Sequence, residues 1–454
     1  MIRIIAMISA LAVLSACKDD VPTASNETSP SGIAYTLITL PDHEDVSIHV
    51  AWPTDWAYRS ETNKSAPLIG TQLILAGGAE GFPAGDVVEM FADLNSEGTV
   101  YAAVNDHIIG ELTFERSNLD ETIEIANAHL SAPTLDETWF TRIRDGTAQN
   151  MGQAQAQPAH ASFDAVRWAV FGEAPLRNAL SLDDPETFET ITREDITAWH
   201  QETFTRNPEA IVIAGDIDAD TAGAAVDALL EGLPDTVVSP VWETPIDLTP
   251  KRILLHDLDA QVTNLAFLAL MPSTREGGEL EDLILTHALG GDDQSALFEA
   301  VRTNLRASYA FGAGISNYTR AHRLLFMTGE VEDEKLAEAE TVVRNAYEAF
   351  QNSELSGPLQ DRKTPFEASF AELSEFVVDQ ARSELQSSLD GFDVGRSLQM
   401  SDELEAVSES SVLERLQNDL PQIDDFIVVA VSPNANALPG ACVIHEPREA
   451  VDCP

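Results

Sequence analysis

The same succession of predicted elements occurs twice along this 454-residue chain, with an offset of roughly 210 to 220 residues. The first copy opens with an alternating strand at 46–52 and the second with one at 264–271, and a proline ends each strand. An apolar helix follows in each copy, at 67–76 and at 280–289, and stops at a pair of glycines. Glycine after a helix supplies the left-handed backbone of a cap. The chain is therefore expected to fold as two similar halves.

Both copies continue with a second helix, two strand-like runs and an acidic amphipathic helix, whose apolar residues return every three or four positions. These elements lie at 84–95, 99–104, 108–114 and 119–130 in the first copy, and at 295–305, 309–315, 324–331 and 334–350 in the second. The strands 211–216 and 426–431 close the two copies. Adjacent strands covered by helices predict an α+β fold of two homologous α/β-sandwich lobes, each an antiparallel-rich sheet covered by helices.

The boundaries of the lobes follow from the repeat and from the distribution of proline. Residues 35–232 are predicted to form the first lobe and residues 251–436 the second. The stretch 233–250 between them contains four prolines and is interpreted as a linker. Residues 437–454 are predicted to be a C-terminal tail.

The amino-terminal residues resemble a bacterial export signal. The positive Arg3 precedes an apolar run from Ile4 to Leu14, which is too short for an ordinary membrane span. The sequence Leu14-Ser15-Ala16-Cys17 is similar to the lipobox, in which the cysteine becomes the acylated first residue. The alternative is a plain secretory signal with a chance cysteine.

The lipobox resemblance implies that residues 1–17 are a lipoprotein signal peptide and that Cys17 carries lipid. The following stretch, 18–34, is rich in polar residues and is predicted to be a flexible tether. Lys18 stands where retention at the inner membrane would require Asp. We therefore expect a periplasmic protein that is lipid-anchored in the outer membrane.

The charge of the chain excludes one class of partner. It has 76 acidic and 26 basic residues, which give a formal net charge of -50. Such a field repels the phosphates of nucleic acids and anionic lipid headgroups. We expect no nucleic-acid partner, and contact with a membrane through the lipid anchor alone. The acidic residues are spread along the sequence, which is typical of a solvated acidic surface.

Two cysteines remain near the carboxyl end once Cys17 is assigned to lipid. Cys442 and Cys453 could close a short loop by a disulfide in an oxidising periplasm. The alternative is a pair of free thiols in a mobile tail. Neither interpretation makes them catalytic.

Several segments together resemble the insulinase-like (pitrilysin) family of zinc peptidases. The segment 78–87 resembles the stretch directly after the zinc helix of that family, and 207–216 resembles the end of its first lobe. The segment 290–309 has a glycine pair and then Arg302 seven residues before Tyr309, a pattern similar to the second lobe of the family. The matches span nearly all the chain after residue 35. The resemblance implies the two-lobed fold of insulinase and the mitochondrial processing peptidase.

The residues that hold zinc in that family are missing here. Active members carry two histidines and a glutamate on the first helix of the first lobe, and a second glutamate about 75 residues later. Alignment on the glycine pair places Ile69 and Leu73 at the histidine positions, Gln72 at the glutamate and Gln149 near the later ligand. None of these side chains offers zinc an imidazole or a carboxylate. The resemblance thus implies no cofactor in this chain, and zinc only in a partner chain.

The resemblance also implies a role for Arg302 and Tyr309. Relatives use such a pair to bind substrate carbonyls or to steady an oxyanion at a site on another lobe. Some bacterial relatives work as pairs of chains, one with zinc and one with the Arg and Tyr. We therefore expect a non-catalytic partner subunit of a periplasmic zinc peptidase, in a hetero-oligomer that takes unfolded peptides.

Other interpretations stay open from the sequence. The chain is alternatively an envelope scaffold or a peptide-binding module with no role in proteolysis. A third interpretation is an active peptidase with a displaced metal. At the level of residues, the alternative is that Arg302 makes a structural ion pair and that Tyr309 is an aromatic residue of a strand.

Overall fold

The computed structural model of the chain describes residues 21–155, 158–181, 185–260, 262–308, 310–352, 358–373 and 375–454. These residues form two six-stranded sheets, one in each predicted lobe, with helices packed on them. The predicted α+β fold class and the two-lobed architecture are confirmed.

The first sheet consists of β1 Thr23–Thr28, β2 Ala34–Thr39, β3 Asp45–Pro53, β4 Ser96–Ala103, β5 His107–Glu115 and β6 Ala210–Gly215. The strands lie in the order β1-β2-β6-β3-β5-β4. Only the pair β2 and β6 is parallel among these described neighbours. Side chains alternate between the two faces of a strand. On β3, Val46, Ile48 and Val50 therefore face the helices of the lobe, whereas Ser47 and His49 face the other side.

The helices that follow in the first lobe are α1 Ala66–Ala76, α2 Val87–Asp93, α3 Leu119–Ser131, α4 Glu137–Gln155, α5 Pro158–Phe171, α6 Pro175–Ser181, α7 Pro185–Thr190, α8 Arg193–Thr203 and α9 Ala219–Leu229. The helix α8 begins with a capping box, in which the Thr192 side chain accepts from the Asp195 amide and Asp195 accepts from the Thr192 amide. Short 3-10 turns lie at Trp56–Tyr58 and Arg116–Asn118.

The second sheet consists of β7 Arg252–His256, β8 Thr263–Met271, β9 Phe311–Thr319, β10 His322–Val331, β11 Ile427–Ser432 and β12 Cys442–Ile444. Their order is β12-β7-β11-β8-β10-β9. Five strands of this sheet repeat the arrangement of the first, with β7, β11, β8, β10 and β9 in the places of β2, β6, β3, β5 and β4. The sixth strand differs, because β12 runs parallel to β7 whereas β1 runs antiparallel to β2.

The helices of the second lobe are α10 Glu279–Gly290, α11 Leu336–Gln351, α12 Leu359–Leu373, α13 Val377–Asp390, α14 Met400–Ala406 and α15 Glu409–Asn418. The predicted helix at 295–305 is instead a π-helical segment, Phe298–Asn304. The 3-10 turns are Thr274–Glu276, Asp333–Lys335, Arg396–Leu398, Ile423–Asp425 and Pro447–Asp452. Within the described ranges, no helix is long and apolar enough to cross a membrane.

The two lobes exchange one helix each. The helix α13 of the second lobe packs on the outer face of the first sheet, where Ala381 and Leu385 contact Ile38 and Val212. The helix α5 of the first lobe packs in the same way on the outer face of the second sheet, against β11 and β8. Each sheet is thus covered on one face by its own lobe and on the other by a helix from the partner lobe, so the two lobes share their cores.

Two predicted boundaries are wrong. The stretch 18–34, predicted as a flexible tether, contains β1, which pairs with β2 over six residues. The predicted tail 437–454 contains β12, which pairs with β7, and a 3-10 turn that packs on α5. The structure joins Cys442 and Cys453 by a disulfide within this segment. The stretch 233–250, predicted to be a linker, contains no helix or strand among its described residues.

Candidate functional site

The positions that correspond to zinc ligands lie on α1, inside the first lobe. Ile69 and Leu73 are fully buried and belong to its apolar core. They lie one turn apart, so their side chains point in the same direction. The intervening Gly70 is packed against Trp199, because a β-carbon at Gly70 would lie 2.3 Å from Cζ3 of that ring. This part of α1 is therefore a packing surface.

The other two positions differ from the first pair in exposure. Gln72 is exposed, and its Nε2 donates to the backbone oxygen of Leu68 at 3.0 Å. Gln149 is exposed on α4, a helix that packs against α1. In the part of the chain that the structure describes, no three His, Cys, Asp or Glu side chains are grouped as metal ligands would be. Two aliphatic side chains and two amides do not fit a zinc ion, which requires imidazole, thiolate or carboxylate ligands.

Arg302 lies at the edge of a large open cleft in the second lobe. It belongs to the π-helical segment and is exposed, with its guanidinium 4.8 Å from the centre of the Phe298 ring. The cleft has a volume of about 1010 Å³. Tyr309, the predicted companion of Arg302, lies outside the described residues.

The walls of the cleft come from both lobes. The first residues of β8, the end of β10 and the turn after the π-helical segment form most of it, and Phe163 of α5 closes one side. A π-helical turn widens the helix and is frequent at functional sites. Because α5 belongs to the first lobe, residues of both lobes line the cleft.

Two polar residues of the cleft were not identified from the sequence. Arg306 is exposed and has a left-handed backbone with φ of 56°. Asn264 is only 7% exposed, and its Oδ1 has no hydrogen-bond partner, although its Nδ2 donates to the Gly329 oxygen at 3.4 Å. No local pattern marks Asn264, which lies in an ordinary strand-like run of the sequence. The order of residues likewise does not reveal the unusual φ of Arg306.

A buried polar cluster joins the two lobes elsewhere. Asp106 accepts from the Tyr58 hydroxyl and, at 2.9 Å, from the Arg320 amide of the second lobe. Burial raises the pKa of Asp106, and these hydrogen bonds oppose the rise. His107 Nε2 lies 2.8 Å from a Glu209 carboxylate oxygen. All donors and acceptors here have protein partners, so the cluster fixes the lobes relative to each other.

A second buried group contains the residue types of a hydrolase triad, although Nδ1 of its histidine has no hydrogen-bond partner. Ser47 Oγ lies 3.0 Å from His49 Nε2, and His49 Nδ1 lies 3.4 Å from Glu111 Oε1. Ser47 also hydrogen-bonds Thr113 at 2.8 Å. Ser47 and His49 are completely buried in the middle of the sheet beneath α13. No substrate can reach this serine, and the strand amides around it are used in the sheet, so there is no oxyanion hole.

Comparison with known proteins gives one family and a common fold. Residues 190–356 match the family described as the peptidase M16 inactive domain. No curated protein matches the chain. The solved M16 inactive domain from Pseudomonas fluorescens is 15% identical, with a TM-score of 0.77, and the match covers 90% of this chain and 98% of that chain.

Two proteases have the same fold. One from Helicobacter pylori is 13% identical, with a TM-score of 0.72, over 91% of this chain and 100% of that chain. The periplasmic protease PqqL from Escherichia coli is 16% identical, with a TM-score of 0.66, over 94% of this chain but only 50% of that chain. At these identities the likeness concerns the fold alone.

The fold and the matched segment both indicate an M16-like chain, and the aliphatic residues on α1 are consistent with a match to the inactive domain. The predicted resemblance to the insulinase-like peptidases is confirmed. The chain has the fold of the solved M16 domain along nearly its whole length, and its segment 190–356 matches the M16 inactive domain.

Proposed function

We propose that this chain is a non-catalytic partner subunit of a zinc-bearing insulinase-like peptidase in the periplasm. The observation that carries the proposal is the contrast between two regions. On α1, the residues at the positions of zinc ligands, Ile69 and Leu73, are buried in the apolar core. Arg302, in contrast, is exposed at a cleft of about 1010 Å³. An arginine keeps its charge at any physiological pH and can donate several hydrogen bonds.

The size of the chain supports an assembly of two units. The full PqqL protease is about twice as long as the part that this chain matches, since the match covers half of it. A protease thus exists in which a unit of this fold is joined to a further part of about equal length. In our proposal the second unit is a separate chain that holds zinc, and this chain gives Arg302, with Tyr309, to substrate bound there. The substrates are unfolded peptides, which a large open cleft can accept.

The location is part of the same proposal. We infer that Cys17 is acylated and that the mature protein is anchored in the outer membrane, facing the periplasm. The likeness to PqqL, a periplasmic protease, supports a periplasmic location. The lipobox-like sequence before Cys17 supports the anchor.

The test is reconstitution with a zinc-bearing relative from the same cell. Each chain is purified alone, and cleavage of an unfolded fluorogenic peptide is measured for each chain and for the mixture. We expect cleavage in the mixture only, with a drop of at least about tenfold for Arg302→Ala, because one donor to a developing oxyanion contributes that much or more. Arg142→Ala, an exposed arginine on α4, is the matched control and should keep full activity.

The outcome also separates the second candidate, an envelope scaffold or peptide-binding module. The cleft supports this second candidate because a cleft of this size can hold a peptide without a zinc ion nearby. Equal cleavage with and without this chain, together with recovery of assembly proteins and no peptidase from envelope extract, would replace our proposal by the scaffold.

A further inference from the structure

The cleft beside Arg302 has a charge pattern that is unusual for this chain. Acidic residues outnumber basic ones by 76 to 26, and most described arginines have a carboxylate partner. Arg116, for example, lies 2.7 Å from Asp216, and Arg382 lies 2.8 Å from Glu111. Within the described residues, neither Arg302 nor Arg306 makes an ion pair, although both line the same cleft. Two unpaired guanidiniums in so acidic a chain indicate a site for an anion.

The backbone of Arg306 gives a second, independent indication. Its φ of 56° is a left-handed conformation that glycine adopts at little cost and that arginine adopts with strain. Lys335 Nζ donates to the Arg306 carbonyl at 2.9 Å and so holds this turn in place. Strained residues persist where the surroundings fix them, and they are concentrated at functional sites.

The acidic residues of the cleft do not neutralise the positive charges of both Arg302 and Arg306. Glu332 is paired with Lys335 at 2.7 Å. Asp333 accepts from Thr263 at 3.1 Å, from Ser432 and from Asn434 at 3.5 Å, so its oxygens are used within the protein. Glu330 remains as an exposed carboxylate, which disfavours a ligand with several negative charges.

A buried amide completes the site. Asn264 lines the cleft, and its Oδ1 is buried without a partner. A buried polar atom without a hydrogen bond is costly, and a ligand that donates to it removes that cost. Because Oδ1 has almost no exposed surface, a peptide N–H reaches it when the Asn264 amide turns towards the cleft. The donors and acceptors of the cleft therefore match a peptide that carries a single carboxylate.

We propose that this cleft selects peptides by a carboxylate, which Arg302 and Arg306 bind together while Asn264 takes a main-chain N–H. The carboxylate belongs either to an acidic side chain or to the carboxyl terminus of the peptide. This inference rests on the proposed function in so far as unfolded peptides are the ligands. It adds a substrate preference and a second binding residue, Arg306.

The test measures peptide binding to the purified full chain by fluorescence anisotropy, without any partner chain. Four labelled unstructured peptides are compared. Three have an amidated carboxyl end and carry Glu, Gln or Lys at one central position. The fourth carries Gln at that position and has a free carboxyl end. We expect the Glu peptide or the free-acid peptide to bind at least about fivefold more tightly than the amidated Gln peptide. The overall charge of the chain alone would favour the Lys peptide, so a preference for the acid must come from a local site.

The variant Arg306→Gly separates binding from structure. Glycine relieves the strained backbone, so the thermal midpoint should be unchanged or higher, while the preference for the carboxylate is lost. Arg306→Gln should lose the preference too, and Arg142→Gln should keep it. Equal binding of the peptides to the wild-type chain, no binding of any, or an undiminished acid preference in Arg306→Gly would overturn the proposal.

Because this assay contains no peptidase, its result is independent of the reconstitution experiment. A chain that prefers the acid yet stimulates no relative would retain the binding site and lose the proposed function. The comparison of the Glu and free-acid peptides tells which source of carboxylate the cleft accepts.

Discussion

At the scale of single residues, His49 is a side chain whose charge state depends strongly on the fold. It is completely buried, and burial lowers its pKa from 6.5 to about 4, even though the neighbouring Glu111 opposes this shift. Between these two pH values the unfolded chain binds a proton that the folded chain excludes. Stability is therefore lost as the pH falls from 6.5 towards 4, by up to about 3 kcal/mol in total from this residue.

The variant His49→Gln keeps a polar side chain beneath α13 and cannot titrate. We expect its free energy of unfolding to fall less than that of the wild type when the pH is lowered from about 7 to about 5. Urea unfolding at the two pH values measures the difference. His445→Gln removes an exposed histidine and serves as the control. If the His49→Gln chain loses as much stability as the wild type over this interval, the protonation of His49 is not the cause.

The residues at the positions that correspond to zinc ligands allow a second prediction. Leu73→His places an imidazole in a fully buried apolar site and should lower the free energy of unfolding by about 2–5 kcal/mol. Gln72→Glu changes an exposed side chain on the same helix and should cost less than about 0.5 kcal/mol. Denaturant unfolding of both variants makes the comparison. Similar losses in the two would contradict the packing of Leu73 in the core. A rise in the unfolding midpoint of the double variant Ile69→His/Leu73→His on addition of zinc would show that α1 can present a metal-binding face.

At the scale of elements, the exchanged helices couple the lobes. Leu385 of α13 is fully buried against the first sheet, so Leu385→Ala should cost about 2–5 kcal/mol. The lost packing lies on β3 and β6 of the first lobe, although the substitution is in the second. Amide hydrogen exchange should therefore accelerate first in these two strands.

The matched control is Val343→Ala on α11, which removes buried apolar atoms from the core of the second lobe alone. Its effect on exchange should begin in the second sheet. An acceleration that is confined to α13 and its own lobe in the Leu385→Ala chain would mean that the helix exchange contributes little to the first sheet.

The elements also show what the sequence could and could not predict. The repeat located four strands of each sheet, because apolar alternation and glycine-ended helices are local signals, but it did not locate β2 Ala34–Thr39 or β7 Arg252–His256. The strand β1 escaped prediction because Thr23–Thr28 is mostly polar and half exposed at the edge of the sheet. The strand β12 escaped because three residues in a proline-containing tail carry no periodicity.

The exchange of α5 and α13 could not be predicted either, since an amphipathic helix does not encode which sheet it will cover. For the candidate site, the resemblance identified Arg302 and the loss of zinc ligands. It did not identify Arg306 and Asn264, because their significance comes from a backbone angle and from a missing hydrogen bond. Both features exist only in three dimensions.

At the scale of the whole molecule, the position of β1 determines how far the fold can lie from a membrane. If Cys17 is acylated, only residues 18–22 separate it from the first strand, which begins at Thr23. Five fully extended residues span at most about 18 Å. The net charge of -50 repels an anionic bilayer, so the protein should rest near the end of this short connection and not against the lipid headgroups.

Neutron reflectometry of the lipidated protein on a supported anionic bilayer measures the gap between headgroups and protein. We expect a gap below about 20 Å, because β1 is held in the sheet and cannot act as a tether. Insertion of fifteen Gly and Ser residues after Pro22 should widen it, whereas the same insertion after Thr236 in the linker should not. A native gap that matches the widened one would mean that residues 23–34 leave the sheet at the membrane. Such a short connection leaves no room for a zinc-bearing partner between the protein and the bilayer, so the partner must bind a face that points along or away from the bilayer. The cleft at Arg302 can therefore serve the partner only if the cleft opens on one of these faces.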